Sequence, residues 1–153
     1  MKKIIPILVL VLVSVLVFGQ NEIKRASQFN LENGIAIQGY DPISYFVESK
    51  AIKGNKEIAV TYKGVVYYFS SKKNKETFLK NPSSYEPQYG GWCAYAIGKS
   101  GEKVSVNPKT FKIVDGKLYL FYNAFLNNTL KDWNKDEANL KSKANENWDR
   151  INK

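Results

Sequence analysis

Histidine is absent from the 153-residue sequence, and cysteine and methionine occur once each, as Cys93 and Met1. Zinc, copper and non-haem iron sites are usually built from several histidine, cysteine or methionine ligands. A single thiolate cannot complete such a set within one molecule. The composition therefore predicts that one copy of the chain builds no site of this kind.

The lone cysteine also excludes an internal disulfide. Secreted domains normally use cysteines in pairs, so an odd one indicates either a free reactive thiol or a bridge between chains. A third interpretation is that Cys93 is a small buried hydrophobic residue, as free cysteine often is. Its sequence neighbours alone leave these alternatives open.

The N-terminus has the pattern of an export signal. Two lysines precede an apolar run from Ile4 to Phe18, and small Gly19 follows. The run is shorter than the roughly 20 residues that a membrane-spanning helix needs. We therefore expect residues 1–19 to be a cleaved signal peptide, with a retained anchor as the alternative. The product would be exported, periplasmic or secreted, and would have no stable membrane span.

The formal charge of +9 arises from 23 basic and 14 acidic residues. The leader holds two lysines and no acid, so cleavage lowers the charge to +7. Such a charge could favour anionic partners, but the lysines are scattered and no block has the density of a nucleic-acid-binding arm. We therefore expect no nucleic-acid partner. The 134 residues that follow the leader fit one domain with its own core.

We predict a flexible lead-in over residues 20–33, with at most a short helical turn, and a domain over residues 34–151. Within the domain, residues 58–62 and 65–69 are rich in β-branched and aromatic side chains. They flank a Lys-Gly pair at 63–64, which is typical of a tight hairpin.

A helix is predicted directly after this hairpin. Ser70 or Ser71 can cap its start, and it runs to Lys80 because an Asn-Pro pair follows. Phe78 and Leu79 are its predicted apolar anchors.

A second β-rich region is predicted over residues 104–106, 111–114 and 118–122. The last two segments flank an Asp-Gly pair, which indicates another hairpin. From Asn123 onward, apolar residues recur at spacings of three and four, as in an amphipathic helix or two consecutive helices. The recurring residues are Leu126, Leu130, Trp133, Leu140, Ala144, Trp148 and Ile151. The predicted fold class is α+β, with two hairpins, short helices and a C-terminal amphipathic helical arm.

Three segments together resemble the YHS domain: residues 39–46 (GYDPISYF), 62–71 (YKGVVYYFSS) and 78–85 (FLKNPSSY). The later segments 88–96 (QYGGWCAYA) and 114–120 (VDGKLYL) look like the exported bacterial branch described as YHS-domain (seleno)proteins. The resemblance covers nearly all of the predicted domain. It implies a small α+β metal-binding module related to treble-clef-like metal domains.

The resemblance also implies cysteine metal ligands, one after the Asp-Pro turn at 41–42 and two around the start of the helix that follows the first hairpin. Those positions hold Ser44, Ser70 and Asn74. Hydroxyl and amide groups are poor ligands for a soft metal ion. We therefore expect no metal site there and no cofactor, apart from a copper(I) ion that Cys93 of two chains could share.

In the exported branch, the resemblance places Cys93 where selenocysteine can stand. Selenium is usually used where a chalcogen reacts, so Cys93 is the candidate catalytic residue of a thiol redox protein. Gly90 and Gly91 could offer backbone N–H groups to a thiolate, and Lys99 could lie close. Without a resolving cysteine, the cycle would pass through a sulfenic acid or a mixed disulfide with a partner.

Three functional hypotheses follow. The first is a binding or sensing protein of the cell envelope rather than an enzyme, with a small ligand or an envelope protein as its partner. The second is the thiol redox protein, and the third is copper handling through a Cys93-bridged dimer. The first depends on an aromatic pocket, although tyrosines in hairpins also serve packing. Its candidate ligand-binding residues are Tyr40, Asp41, Tyr45, Tyr68, Tyr89, Trp92 and Tyr95.

Overall fold

A computed structural model describes residues 19–153. The predicted signal peptide, up to Phe18, lies outside the described residues. Within the described part, no helix is both long and apolar enough to cross a membrane. Helices and strands are mixed as in an α+β protein and surround two apolar cores, which confirms the predicted fold class.

The first sheet is built around a hairpin of β3 (Asn55–Tyr62) and β4 (Val65–Phe69). Its turn, Lys63-Gly64, has φ angles of 48° and 81°. Type I′ turns require this left-handed geometry, and glycine adopts it without steric strain. Two short strands, β1 (Leu31–Glu32) and β2 (Ile35–Ala36), complete the sheet in the order β1-β2-β4-β3. The first predicted hairpin is confirmed.

Short helices connect the strands of this sheet to the rest of the chain. A 3₁₀ turn over Ile37–Gly39 follows β2, and a second 3₁₀ turn, Gln88–Gly91, precedes Cys93. The α-helices are α2 (Ser44–Val47), α3 (Lys72–Lys80) and α4 (Pro82–Tyr85).

Helix α3 begins as predicted, because the Ser71 hydroxyl accepts the Asn74 N–H at 3.1 Å and so caps the helix. Phe78 is fully buried against Tyr67, with ring centroids 4.9 Å apart. Leu79 is 52% exposed, so its prediction as a second apolar anchor is wrong. Consecutive helical residues point about 100° apart, and only one of this pair can face the sheet.

The second predicted hairpin is confirmed as β5 (Asn107–Val114) and β6 (Lys117–Phe121). Helix α5 (Ala94–Ser100) precedes it. Residues 104–106, predicted as part of this β-rich region, lie outside any strand. The Val104 carbonyl instead accepts the Cys93 N–H at 2.9 Å, so the segment lies against the chain near Cys93.

The predicted C-terminal arm consists of two helices, α6 (Thr129–Trp133) and α7 (Glu137–Ile151). Trp133 is fully buried in the second core. Helices α5 and α7 approach closely at Gly98, where an added Cβ would lie 2.6 Å from the Leu140 carbonyl oxygen. Only glycine allows this contact, because the atom that blocks a side chain belongs to the backbone.

A small hairpin of β7 (Asn123–Ala124) and β8 (Asn127–Asn128) lies between β6 and α6. We call residues 123–128 the flap. Leu126, predicted as a core residue of the helical arm, is instead fully exposed at the flap turn. The helix begins only at Thr129, so the periodic spacing at Leu126 was coincidental.

Residues 19–28, most of which fall in the predicted lead-in, form a helix (α1) longer than the short turn predicted there. Arg25 holds this helix to the domain. Its Nη2 lies 2.5 Å from Glu86 Oε1, and its Nη1 donates to the Tyr62 carbonyl at 3.2 Å. The guanidinium also lies 4.6 Å from the centroid of the Phe29 ring. These long-range contacts give the segment an order that its polar composition did not indicate.

Candidate functional site

Asp41 is the centre of a buried polar cluster between the first sheet and α3. The residue is 0% exposed. Its Oδ1 accepts the Ile43 N–H at 2.8 Å. Its Oδ2 accepts the Ser70 N–H at 2.8 Å, the Ser70 hydroxyl at 2.6 Å and the Asn74 side-chain amide at 2.7 Å. The buried carboxylate is therefore fully hydrogen-bonded, as burial of such a group requires.

Ser44 extends this cluster on the other side of the Asp-Pro turn. Its Oγ lies 2.8 Å from the carbonyl oxygens of both Asp41 and Lys50. The same oxygen accepts the Ile52 N–H at 3.3 Å. Ser44 thus joins the start of α2 to the segment that leads into β3.

The three positions at which the family resemblance implied cysteine ligands, Ser44, Ser70 and Asn74, all lie in the Asp41 cluster. They do not fit a soft metal ion, because they are hydroxyl and amide groups whose protons are already donated to oxygen atoms of the cluster. Across residues 19–153, no three or more histidine, cysteine or acidic side chains are grouped so that they could hold a metal ion. The hydrogen bonds join the elements that a shared metal ion would otherwise join.

Cys93 is 0% exposed and lies directly before α5. Its N–H donates to the Val104 carbonyl at 2.9 Å, and its carbonyl accepts the Ile97 N–H at 3.0 Å. The Sγ atom accepts the Tyr122 N–H at 3.3 Å and lies 3.4 Å from Thr129 Oγ1. The thiol is therefore fixed between the residue before the flap and the residue after it.

These contacts suit both protonation states of the sulfur. The Thr129 hydroxyl donates to the Tyr122 carbonyl at 3.0 Å, so its oxygen can accept the Cys93 S–H. A thiolate would keep the Tyr122 N–H as a donor, and rotation of the Thr129 hydroxyl would add a second.

A cavity of about 340 Å³ opens above the thiol. Tyr95, Ala96, Val104 and Tyr122 supply apolar surface to its walls, and Lys99 and Glu102 supply charge. The prediction that Lys99 lies near Cys93 agrees with this arrangement. The hydrogen bonds to the sulfur come from Tyr122 and Thr129, however, and not from the glycine pair before Trp92.

Comparison with known proteins gives one match. Residues 43–89 match the family model of the YHS domain. This segment is a YHS domain. No curated protein and no solved structure matches the chain. The YHS match covers about a third of the sequence; it includes Ser44, Ser70 and Asn74 and ends before Cys93.

Two of the predicted ligand-binding residues, Asp41 and Tyr45, lie inside the core and are 0% exposed. Asp41 is enclosed by its own cluster beside the YHS segment. The Tyr45 hydroxyl donates to the Pro108 carbonyl at 2.9 Å. Burial raises the pKa of the Tyr45 phenol above its usual range, which keeps this hydroxyl protonated as a donor. Neither residue lines the cavity above Cys93.

The remaining predicted residues do not share one pocket. Tyr68 lines a cleft of about 560 Å³ together with Lys53. The Lys53 ammonium lies 4.6 Å from the centroid of the Tyr40 ring. Among the predicted residues, Tyr95 alone shares the Cys93 cavity.

Tyr89 and Trp92, which flank the glycine pair, connect helices. Tyr89 is buried, and its hydroxyl donates to Asn145 Oδ1 of α7 at 3.0 Å. The Trp92 indole N–H donates to the Gln28 carbonyl of α1 at 2.7 Å. These aromatic residues hold the chain around Cys93 in place, and Tyr89 also lines a separate cleft of about 510 Å³.

Tyr122 and Thr129 are the site residues that sequence reasoning missed. Thr129 is 36 residues from Cys93, and the two meet because Cys93 forms a parallel bridge with Leu120 of β6. No local pattern marks that pairing.

Proposed function

We propose that the chain is an exported binding protein of the cell envelope that contains a YHS domain and binds a small ligand in the cavity above Cys93. The Asp41 cluster takes the structural place of the metal centre. Export is supported by the N-terminal sequence pattern. The binding role is supported mainly by one observation, the partly apolar cavity with a fixed thiol at its base.

The size and lining of the cavity suit a small organic molecule. Its volume of about 340 Å³ lies within the range of about 300–1,000 Å³ that is usual for such sites. Apolar walls with few polar groups are also typical of them. Two of the larger clefts, of about 560 and 510 Å³, have charged or amide side chains at half or more of their lining positions.

The test uses two probes with the same apolar tail, octanoate and octylamine. They differ in the charge that would face Lys99 or Glu102 at the cavity. A bound probe should raise the unfolding temperature of the chain and slow the reaction of Cys93 with methyl methanethiosulfonate. The charge of the probe that binds more strongly would identify whether Lys99 or Glu102 recognises the ligand.

The control is Ala96→Phe, which places a ring in the cavity without changing the rim charges. We expect this variant to fold and to lose both responses. The proposal fails if neither probe protects Cys93 in the unmodified chain, or if Ala96→Phe responds as strongly as the unmodified chain does.

The second candidate function is thiol redox chemistry at Cys93. It is favoured by the Tyr122 N–H and the Thr129 hydroxyl, which can both donate to a thiolate. A peroxide would be the oxidant. The thiolate attacks one peroxide oxygen, the S–O bond forms, the O–O bond breaks, and the leaving hydroxide takes a proton to become water. An external thiol would then condense with the sulfenic acid, releasing water and forming a mixed disulfide, and a second external thiol would free Cys93 as the thiol while the two external thiols leave as a disulfide.

Dimedone trapping after peroxide treatment tests this candidate. The adduct should form at Cys93 in the unmodified chain and be absent in Cys93→Ser. Thr129→Val removes one of the two donors and should slow trapping by about tenfold or more, since a hydrogen bond to a charged group contributes about 1.5–3 kcal/mol. The absence of any adduct in the folded unmodified chain would exclude peroxide chemistry.

A further inference from the structure

The flap turn exposes two large apolar side chains. Phe125 is 93% exposed and Leu126 is fully exposed. Among the exposed large hydrophobic residues of the described chain, only these two are adjacent in sequence. Adjacent apolar residues on a surface loop often mark an interaction site rather than ordinary surface.

The backbone at this turn is also unusual for these residue types. Phe125 and Leu126 have φ angles of 50° and 66°. Bulky residues rarely occupy this left-handed region, and two-residue turns of this type favour Asn-Gly. The other three hairpins place Asn33-Gly34, Lys63-Gly64 and Asp115-Gly116 at the equivalent positions. The flap alone keeps two large apolar residues in the strained geometry.

The flap is held firmly at its base. Asn123 pairs with Asn128 across the hairpin. The Asn123 side-chain amide donates to Thr110 Oγ1 at 3.0 Å, and the Thr129 N–H donates to the Tyr122 carbonyl at 3.1 Å. The apolar tip is therefore presented by an ordered base.

Exposed lysines lie near the base of the flap. Lys99 lines the cavity together with flap residue Asn127, Lys109 lies in β5, which contacts β7, and Lys131 is the third residue after the flap. None of the three forms an ion pair with another described residue. The acids beside them are Glu102 on the cavity wall and Asp132, which pairs with a fourth lysine, Lys135. Four lysines therefore stand against two acids, and the local balance is positive.

We propose that the flap docks on an anionic lipid bilayer, with Phe125 and Leu126 inserted among the headgroups and acyl chains and the three lysines against the anionic headgroups. Apolar insertion combined with electrostatic attraction is the usual basis of peripheral membrane binding. This surface shares Lys99 and Asn127 with the cavity rim, but its apolar tip lies outside the cavity lining, so the inference goes beyond the proposed function and does not rest on it.

The experiment places a reporter at the tip of the full chain, as Phe125→Trp. Vesicles contain equal parts phosphatidylglycerol and phosphatidylcholine, or phosphatidylcholine alone, each with and without brominated acyl chains. Bromine quenches tryptophan only at short range, so an attachment through the N-terminal apolar run does not quench the tip reporter. The matched control is Leu79→Trp, an exposed apolar position on α3, which packs on the first hairpin.

We expect brominated phosphatidylglycerol vesicles to quench the Phe125→Trp reporter. Each lysine contributes about tenfold or less to the lipid affinity. The triple variant Lys99→Gln/Lys109→Gln/Lys131→Gln should therefore lower the apparent affinity by about tenfold or more in total. The Leu79→Trp reporter should stay unquenched. Equal fluorescence of the tip reporter with brominated and plain vesicles would overturn the proposal.

Amide hydrogen exchange of the unmodified full chain gives a second readout. Exchange over residues 123–128 should slow when phosphatidylglycerol vesicles are added and should not slow in Phe125→Asn/Leu126→Gly, which keeps the turn but removes the apolar tip. Flap protection that appears only with envelope proteins and not with vesicles would also overturn the proposal and would indicate a protein partner.

Discussion

Replacement of Asp41 by asparagine tests whether the buried carboxylate, and not a metal ion, holds the YHS segment together. The substitution keeps the shape of the side chain but turns one oxygen into an NH₂ group. If that group replaces Oδ2, it faces Ser70 and Asn74, which are both donors. If it replaces Oδ1, it faces the Ile43 N–H. Either orientation leaves buried donors without an acceptor.

We expect Asp41→Asn to lower the free energy of unfolding by about 3–5 kcal/mol, because at least one buried donor loses its acceptor, at about 1–3 kcal/mol, and the remaining hydrogen bonds lose the strength that the charge gave them. The estimate is supported by the four hydrogen bonds to the carboxylate. Such bonds to a charged group contribute about 1.5–3 kcal/mol each, and relief of the carboxylate's desolvation offsets part of their sum. Small domains are stable by only about 5–15 kcal/mol.

Urea unfolding of the full chain, followed by tryptophan fluorescence, measures this loss, because Trp133 is fully buried. With a urea m-value of about 2 kcal/mol/M, the midpoint should fall by about 2 M. Asp149→Asn, an exposed acid, is the matched control and should shift stability by less than about 0.5 kcal/mol. The reasoning would be refuted by a loss below about 1 kcal/mol in Asp41→Asn, or by a lower midpoint of the unmodified chain in EDTA.

Three further substitutions probe the rest of the fold, each by the same urea titration. Arg25→Met should lower the free energy of unfolding by about 1.5–3 kcal/mol, because it removes the charged partner of Glu86 and leaves that carboxylate only the Tyr67 hydroxyl as a donor; no loss would contradict the packing of α1 on the domain. Gly98→Ala should cost about 1–3 kcal/mol through the clash with the α7 backbone; a neutral result would contradict that close approach. Phe125→Asn/Leu126→Gly should raise the free energy of unfolding by about 1–3 kcal/mol, because Asn and Gly relieve the positive-φ strain at the flap turn. Phe125→Ala/Leu126→Ala should leave that free energy unchanged. Equal effects of the two double variants would refute the strain.

The hairpins and the helix caps could be predicted because their causes are local. The Lys-Gly and Asp-Gly pairs determine their turns, and Ser71 caps α3 through an N–H only three residues away. The Asp41 cluster could be predicted only in part. The family resemblance identified Ser44, Ser70 and Asn74 as unusual, but the sequence did not show that Ser70 and Asn74 converge on a single carboxylate.

The order of α1 and the surroundings of Cys93 could not be predicted, since both depend on pairings across the fold. Arg25 pairs with Glu86, which is 61 residues away in the sequence. Thr129 reaches Cys93 only after β6 has been placed beside it. Leu126 followed the helical spacing of its neighbours, yet the helix starts after it, and periodicity cannot report where a hairpin interrupts a helix.

The contacts of Cys93 connect the two functional surfaces of the molecule. Tyr122 and Thr129 stand at the two ends of the flap, and both contact the same sulfur atom. A movement that separates these ends breaks the contacts that hold the thiol, while an added group on the sulfur displaces the residues that hold the flap. The chemical state of Cys93 and the position of the flap are therefore linked in both directions, as equilibrium coupling requires. A flap docked on a bilayer and a cavity occupied above the thiol would then influence each other through one sulfur atom.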